Sequence, residues 1–245
     1  MKVSYREIAL SIVFIAIVFV FTYIIYFYIP ATEGYFNIGE SGVYLAALIG
    51  GPIVGAIAGG IGSALADIAL GAGIYAPGTL GIKALEGLIV GYSYKFSSKI
   101  PKKGRYVIVT IISLFLIGLL TIAGILGAQG GIMILGTEYT FEVPLWIMVL
   151  LGIVLSASIA YFGLTKEEQG TMILSCVLGG IFMVLGYFLY EAFVLGYGVM
   201  AAAVEIPWNI GQLAVGTAIA VPVVDKLREM GLHVSLFESE REIRE

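Results

Sequence analysis

Residues 43–67 read VYLAALIGGPIVGAIAGGIGSALAD, and within them only Asp67 carries a charge at neutral pH. Small residues recur at four-residue spacing, with Gly55, Gly59 and Ser63 on one ridge and Ala56, Gly60 and Ala64 on the next. Such ridges suit a helix that packs against other helices in lipid, where close backbone approach drives association. The Gly50-Gly51-Pro52 stop interrupts the run, because proline cannot continue the i to i−4 ladder. The spacing therefore predicts a short, tilted or partly inserted helix over 38–51 and a second helix over 53–72 inside a bundle. A phosphate-cradling reading of the glycines fails, since GxxxxGK[ST] occurs nowhere in the chain. Any ATP-driven work must come from another subunit.

The rest of the sequence extends this pattern. Of 245 residues, 60% are apolar and 12% charged, against roughly a quarter charged in soluble domains. With a mean hydropathy of +1.02, the surface itself must be apolar and face lipid. The chain reads as an all-α polytopic membrane protein. A net charge of −4 with no basic stripe excludes nucleic acid as a partner. Cys176 and His233 are single residues of their kinds, so neither a disulfide within the chain nor a zinc or haem site is available. The apolar run 8–29, flanked by Lys2 and Arg6, is longer than a signal-peptide core and reads as a retained helix.

At about twenty apolar residues per crossing, helices are expected near 8–29, 38–51, 53–72, 78–99, 105–127, 144–163, 171–197 and 206–226. This arrangement puts Lys2, Arg6, Lys95, Lys99, Lys102, Lys103, Arg105, Lys166, Lys226, Arg228, Arg241 and Arg244 on one side. Only Lys83 lies elsewhere. The positive-inside bias makes that side cytoplasmic, with both termini in it and 229–245 as a charged tail. The opposite loops carry Glu33, Glu138, Glu142 and Glu205.

Charged and amide side chains within spans gather towards the outer end, where such groups normally face a cavity or a partner. Asp67 ends the third predicted helix, and the fourth opens with Thr79, Lys83 and Glu86 on one face. The seventh ends with Tyr187, Tyr190 and Glu191; the eighth begins with Glu205, Trp208, Asn209 and Gln212. Each set shares a face at helical spacing. Asn37 and Glu40 enter from the first outer loop, and Tyr35, Tyr75 and Tyr197 add rings near the mouth. Structural roles compete with a binding role. Lys83 and Glu86 suit an intrahelical ion pair, Asp67 either lines the site or staples two helices through Lys83, Glu205 suits a helix cap and Trp208 an interfacial belt. None of these explains the clustering at one depth, which favours an outward-facing polar pocket.

Specific strings support a resemblance. GYFNIGE (34–40), the run ending at Asp67, YAPGTLGIKALEGLIVG (75–91), GGIFMVLGYFLYEAFVLGYG (179–198) and EIPWNIGQLAVG (205–216) together resemble the S components of energy-coupling factor (ECF) transporters, in particular the riboflavin-type family. The resemblance covers 30–95 and 171–228. It implies a vitamin-capture subunit that docks on a membrane coupling subunit driven by two ATPase subunits. The family's six-helix core would make 105–170 an inserted helical pair. The resemblance also puts the substrate site on the first outer loop and the fourth, seventh and eighth predicted helices, the same residues that depth selects. Many S components dock through an alanine-x-x-x-alanine pattern on helix one. Here Ala9, Ser11 and Ala16 do not reproduce that spacing and are the nearest counterpart.

Two other functions compete with this one. A solitary secondary transporter or channel would be expected to show inverted repeats and broken helices. An intramembrane enzyme using Glu191 or Asp67 as acid or base would need an accompanying nucleophile or metal set. The chain is therefore expected to be no enzyme and to hold no cofactor of its own. The excess of carboxylates over Lys83 favours a neutral or cationic ligand, and Tyr187, Tyr190 and Trp208 suit a planar ring. Riboflavin-like, pyridoxine-like and hydroxymethylpyrimidine-like compounds all meet that description.

Overall fold

The computed structural model describes residues 4–29, 32, 34–97, 101–125, 129–134, 137–142, 144–165 and 167–230. Most of the 229–245 tail lies outside these residues, as do Lys2, Glu33, Lys99, Lys166, His233, Arg241 and Arg244. The elements are α1 (Tyr5–Ile24), β1 (Tyr26–Ile29), β2 (Gly34–Asn37), α2 (Gly39–Ala69), α3 (Ala76–Ser97), α4 (Lys102–Ile125), β3 (Gln129–Ile134), β4 (Thr137–Glu142), α5 (Leu145–Thr165), α6 (Glu167–Leu189), a π-helical turn (Tyr190–Val194) and α7 (Val199–Glu229). The chain is an all-α polytopic membrane bundle. Five of the described helical segments are long and apolar enough to cross a membrane.

Helix α2 is continuous only by backbone hydrogen bonding across a break at Gly51, whose φ of 84° and ψ of −176° lie outside helical space. That conformation is essentially restricted to glycine, and Pro52 follows it. The break folds α2 into a hairpin. A Cβ placed on Gly55 would lie 2.7 Å from the Ala47 Cβ, and one on Gly59 would lie 3.0 Å from Val43 Cγ1. Residues so far apart in sequence touch only if arms 39–50 and 52–69 run antiparallel. The two predicted helices are thus both present, and the described residues form eight rods.

The second arm is interior, as its small ridges imply. Cβ atoms on Gly55, Gly59 and Gly60 would lie 2.8, 2.8 and 2.7 Å from the carbonyl oxygens of Gly87, Lys83 and Leu80 on α3. Gly62 meets α1 in the same way, 2.8 Å from the Ile15 carbonyl. Backbone contact this close is possible only without side chains.

The first helix ends earlier than expected. Ser4 and Glu7 form a capping box at its start, but the aromatic and β-branched run Tyr26–Ile29 leaves the helix and pairs antiparallel with Gly34–Asn37. Aromatic and β-branched residues favour strands over helix. A second antiparallel hairpin, β3 with β4, occupies the stretch expected to be a plain loop, and β3 lies against β1. Both hairpins sit at the same end of the bundle.

Helices α4 and α5 pack on each other, with Gly152 against Ile117 and Gly124 against Leu145, and join the rest through α6 and α7. They form the periphery. One apolar cluster centres on Tyr44, Val18, Val54 and Met172 between α1, α2, α6 and α7. Another, around Leu116, Leu120, Met183 and Ile210, attaches α4 and α5.

Candidate functional site

Within this apolar frame, the antiparallel rods bring polar side chains to one end in two layers. The deeper layer is built on Lys83 of α3. It is 5% exposed, and its ammonium donates to Glu40 of the first α2 arm and, at 3.2 Å, to Glu86 one turn along. Glu86 also accepts from the Tyr44 hydroxyl at 2.9 Å. Lys83 therefore pairs with two carboxylates, and Asp67 is not one of them. The expected Lys83–Glu86 pair is present, but it belongs to a triad that ties the first arm of α2 to α3. Tyr44, one helical turn beyond Glu40, was not singled out from the sequence, although its i+4 spacing places it on the same face.

The layer nearer the hairpins is dominated by carboxylates. Asp67 accepts from the Tyr35 hydroxyl of β2, and Glu205 accepts from the Thr32 hydroxyl. Tyr75 donates to the Thr32 carbonyl at 2.7 Å, which holds the turn of the first hairpin over the site. Gly34 permits this closure, because a Cβ there would lie 2.6 Å from Glu205 Oε1. The phenols report the local field. Burial, followed by the charges of Glu191 and Glu205, pushes the Tyr75 hydroxyl well above its ordinary range. Tyr35 is raised by burial and then by the charge of Asp67. Both remain donors.

Between the layers, Tyr187 donates to Thr79 Oγ1 at 3.0 Å, and its ring lies 5.5 Å from the Lys83 ammonium. Gln212 donates to Asn209 at 3.0 Å, and the Asn37 carboxamide oxygen accepts from the Gly39 amide at 2.7 Å. One cavity joins these groups. Its lining includes Asn37, Asp67, Thr79, Lys83, Tyr187, Glu191, Glu205, Asn209 and Gln212, together with Thr22, Gly34, Tyr35, Gly39, Ser63 and Tyr75. Its volume is about 40 Å³, room for a few waters at most.

The remaining residues singled out from the sequence lie outside that lining. Glu40 and Glu86 stand behind Lys83 as its counterions. Tyr190 donates to the Ile74 carbonyl at 2.8 Å and lies against Gly78, where a Cβ would meet its ring at 2.6 Å. Trp208 packs edge-on against Phe36, centroids 6.2 Å apart. Both rings brace the segments that surround the cavity. The π-helical turn at Tyr190–Val194 was not foreseen; such turns widen one helical step and recur at functional sites. This one carries Glu191, which is 1% exposed. Among the described residues its Oε2 has no hydrogen-bond partner, and neither has Asp67 Oδ2.

At the far end of the first helix, Ala9 and Ala16 are exposed. Ser11 is buried and donates to the Glu7 carbonyl at 2.7 Å, so the three do not share one outward face. No cluster of His, Cys, Asp and Glu suited to a metal occurs among the described residues.

A family model described as "ECF-type riboflavin transporter, S component" matches residues 2–149. The match runs from α1 through α4 and the second hairpin into α5. It therefore enters the stretch 105–170 and stops short of α6 and α7. An uncharacterised protein of Pyrococcus woesei is 41% identical over 105 residues, covering 42% of this chain and 68% of that protein. S components are substrate-capture subunits of ECF transporters rather than enzymes. With residues 2–149 matched and a bundle of apolar membrane helices around a polar cavity, this chain belongs to the family of ECF-type riboflavin transporter S components.

Proposed function

We propose that this chain captures a small water-soluble vitamin or precursor, of riboflavin-like, pyridoxine-like or hydroxymethylpyrimidine-like heteroaromatic character, outside the cell membrane. It delivers the molecule to a transmembrane coupling subunit driven by two ATPase subunits. One observation carries this reading. Polar side chains from the first hairpin, α2, α3, α6 and α7 converge on one cavity in a bundle that is otherwise apolar. The basic residues Arg6, Lys95, Lys103, Arg105, Lys226 and Arg228 mark the other end as cytoplasmic, so the cavity faces outward and both termini face in.

The cavity of about 40 Å³ is far below the several hundred cubic ångströms that ligand sites of this kind enclose. For such a molecule the cavity must widen, and in this reading it does so when the first hairpin releases Thr32 and Tyr35 from Glu205 and Asp67. ATP is hydrolysed only by the partner subunits, and the chain holds no cofactor. Of the three residues singled out on the first helix, Ala9 and Ala16 are exposed and available for docking, and Ser11 is not. Helices α4 and α5, none of whose described residues lines the cavity, are an addition to a six-helix core.

The test is purification of the tagged full chain from native membranes, with identification of what accompanies it. Recovery of ATPase subunits in stoichiometric amounts is expected. Uptake by the purified chain alone in liposomes, driven by an ion gradient, would overturn the proposal.

A further inference from the structure

Charges around the cavity are unevenly matched. Among the described residues Lys83 is the one cation in its lining, and both Glu40 and Glu86 already neutralise it from behind. Asp67, Glu191 and Glu205 line the same cavity, and among the described residues none of them forms an ion pair. Each is at most 4% exposed. Their hydrogen bonding is incomplete as well, since Glu191 Oε2 and Asp67 Oδ2 are buried without a partner.

Buried carboxylate oxygens are ordinarily satisfied by donors or cations, because leaving them bare costs the full desolvation of the group. For Glu191 Oε2 and Asp67 Oδ2 the described residues supply neither, and both atoms belong to side chains that line the cavity. We propose that the substrate supplies them, and that it is an organic cation: a planar heteroaromatic ring bearing a protonated amine or a quaternised ring nitrogen. Its positive group meets Glu191 and Asp67 through charge-assisted hydrogen bonds or ion pairing, and its ring lies among Tyr35, Tyr75 and Tyr187. Tyrosine faces favour a cation for the same electrostatic reason. Riboflavin carries no positive charge, so the proposal separates this chain's substrate from the one in the family's description. It rests on the capture reading above and narrows it.

Matched pairs of probes test it on the full chain in detergent by isothermal titration. Aminomethylpyrimidine against hydroxymethylpyrimidine, and pyridoxamine against pyridoxine, each exchange a neutral hydroxymethyl for an ammonium of similar size. In at least one pair the ammonium member should bind tighter by about tenfold or more, as expected for a charge-assisted contact in place of a neutral one. Glu191→Gln and Asp67→Asn, which keep shape and remove charge, should shrink that ratio towards unity while both variants retain a cooperative thermal transition. Equal or tighter binding of the neutral members, or tight binding of riboflavin alone, overturns the charge assignment. Because neutral vitamins would then still be captured, the capture reading survives that result. A folded protein that binds no probe overturns the assignment too, and co-purification with ATPase subunits separately decides whether capture stands.

Discussion

Replacing Lys83 with methionine keeps the length and apolar stem of the side chain and removes only the ammonium. In the structure that ammonium is the shared partner of Glu40 and Glu86, whose side chains are fully buried. Glu40 Oε2 already lacks a hydrogen-bond partner, so the substitution leaves two carboxylates facing each other without a cation. Removing one member of a buried ion pair costs about 3–5 kcal/mol. For a chain of this size that is a fall in unfolding temperature on the order of 10 °C. The loss should be specific to charge. Adding Glu40→Gln and Glu86→Gln to Lys83→Met should recover most of it, since an isosteric neutral triad leaves no bare charge. The assay is thermal unfolding in detergent at a fixed scan rate, without ligand, because membrane proteins seldom unfold reversibly. If Lys83→Met unfolds within about 0.5 kcal/mol of the parent, or the triple variant is no better than the single one, the triad does not hold α2 to α3. Lys83 would then be an independent ligand-binding group.

Three further outcomes follow from the same contacts. Gly51→Ala should destabilise by about 1–3 kcal/mol, read in the same thermal assay, because no L side chain is at ease at a φ of 84°. Gly59→Val should abolish monodisperse expression in fluorescence-detected gel filtration, since even a Cβ there would sit 2.8 Å from the Lys83 carbonyl; Ile57→Val, on the same arm, is the control expected to behave normally. Addition of a ligand found in the screens above should change hydrogen exchange in residues 26–37 more than in α4 or α5, because the hairpin closes the cavity and the peripheral pair does not line it.

Much of the bundle could be read from the sequence because lipid imposes strong rules on composition. The Gly-Gly-Pro stop, the four-residue glycine ridges and the one-sided Lys and Arg distribution are local signals, and the antiparallel rods agree with them. The depth of Asp67, Thr79, Lys83, Glu191, Glu205, Asn209 and Gln212 followed from helix rise alone, and the structure gathers these residues at one cavity. What escaped was tertiary. Helical spacing places Glu86 beside Lys83, but Glu40 reaches it only because α2 folds back at Gly51. Tyr190 and Trp208 share helix faces with cavity residues by spacing, yet neither is among the lining residues. Their rings find nearer partners in Gly78 and Phe36. Strand pairing in the two hairpins and the π turn depends on contacts between segments, which a hydropathy profile does not contain.

The fold-back at Gly51 also affects how the chain's orientation would be determined by other means. An apolar stretch of 31 residues is counted by any length-based rule as a single passage. Counting it once reverses the assigned side of every later segment, placing Lys95, Lys103, Arg105 and Lys226 opposite Arg6. The vertex itself is silent to labelling reagents, since Gly50, Gly51 and Pro52 are buried and Gly91 packs against the Pro52 backbone. A cysteine introduced there would report neither compartment. Reporter fusions placed before Gly39 and after Ala69 should therefore agree with each other, whereas a single traverse would make them disagree.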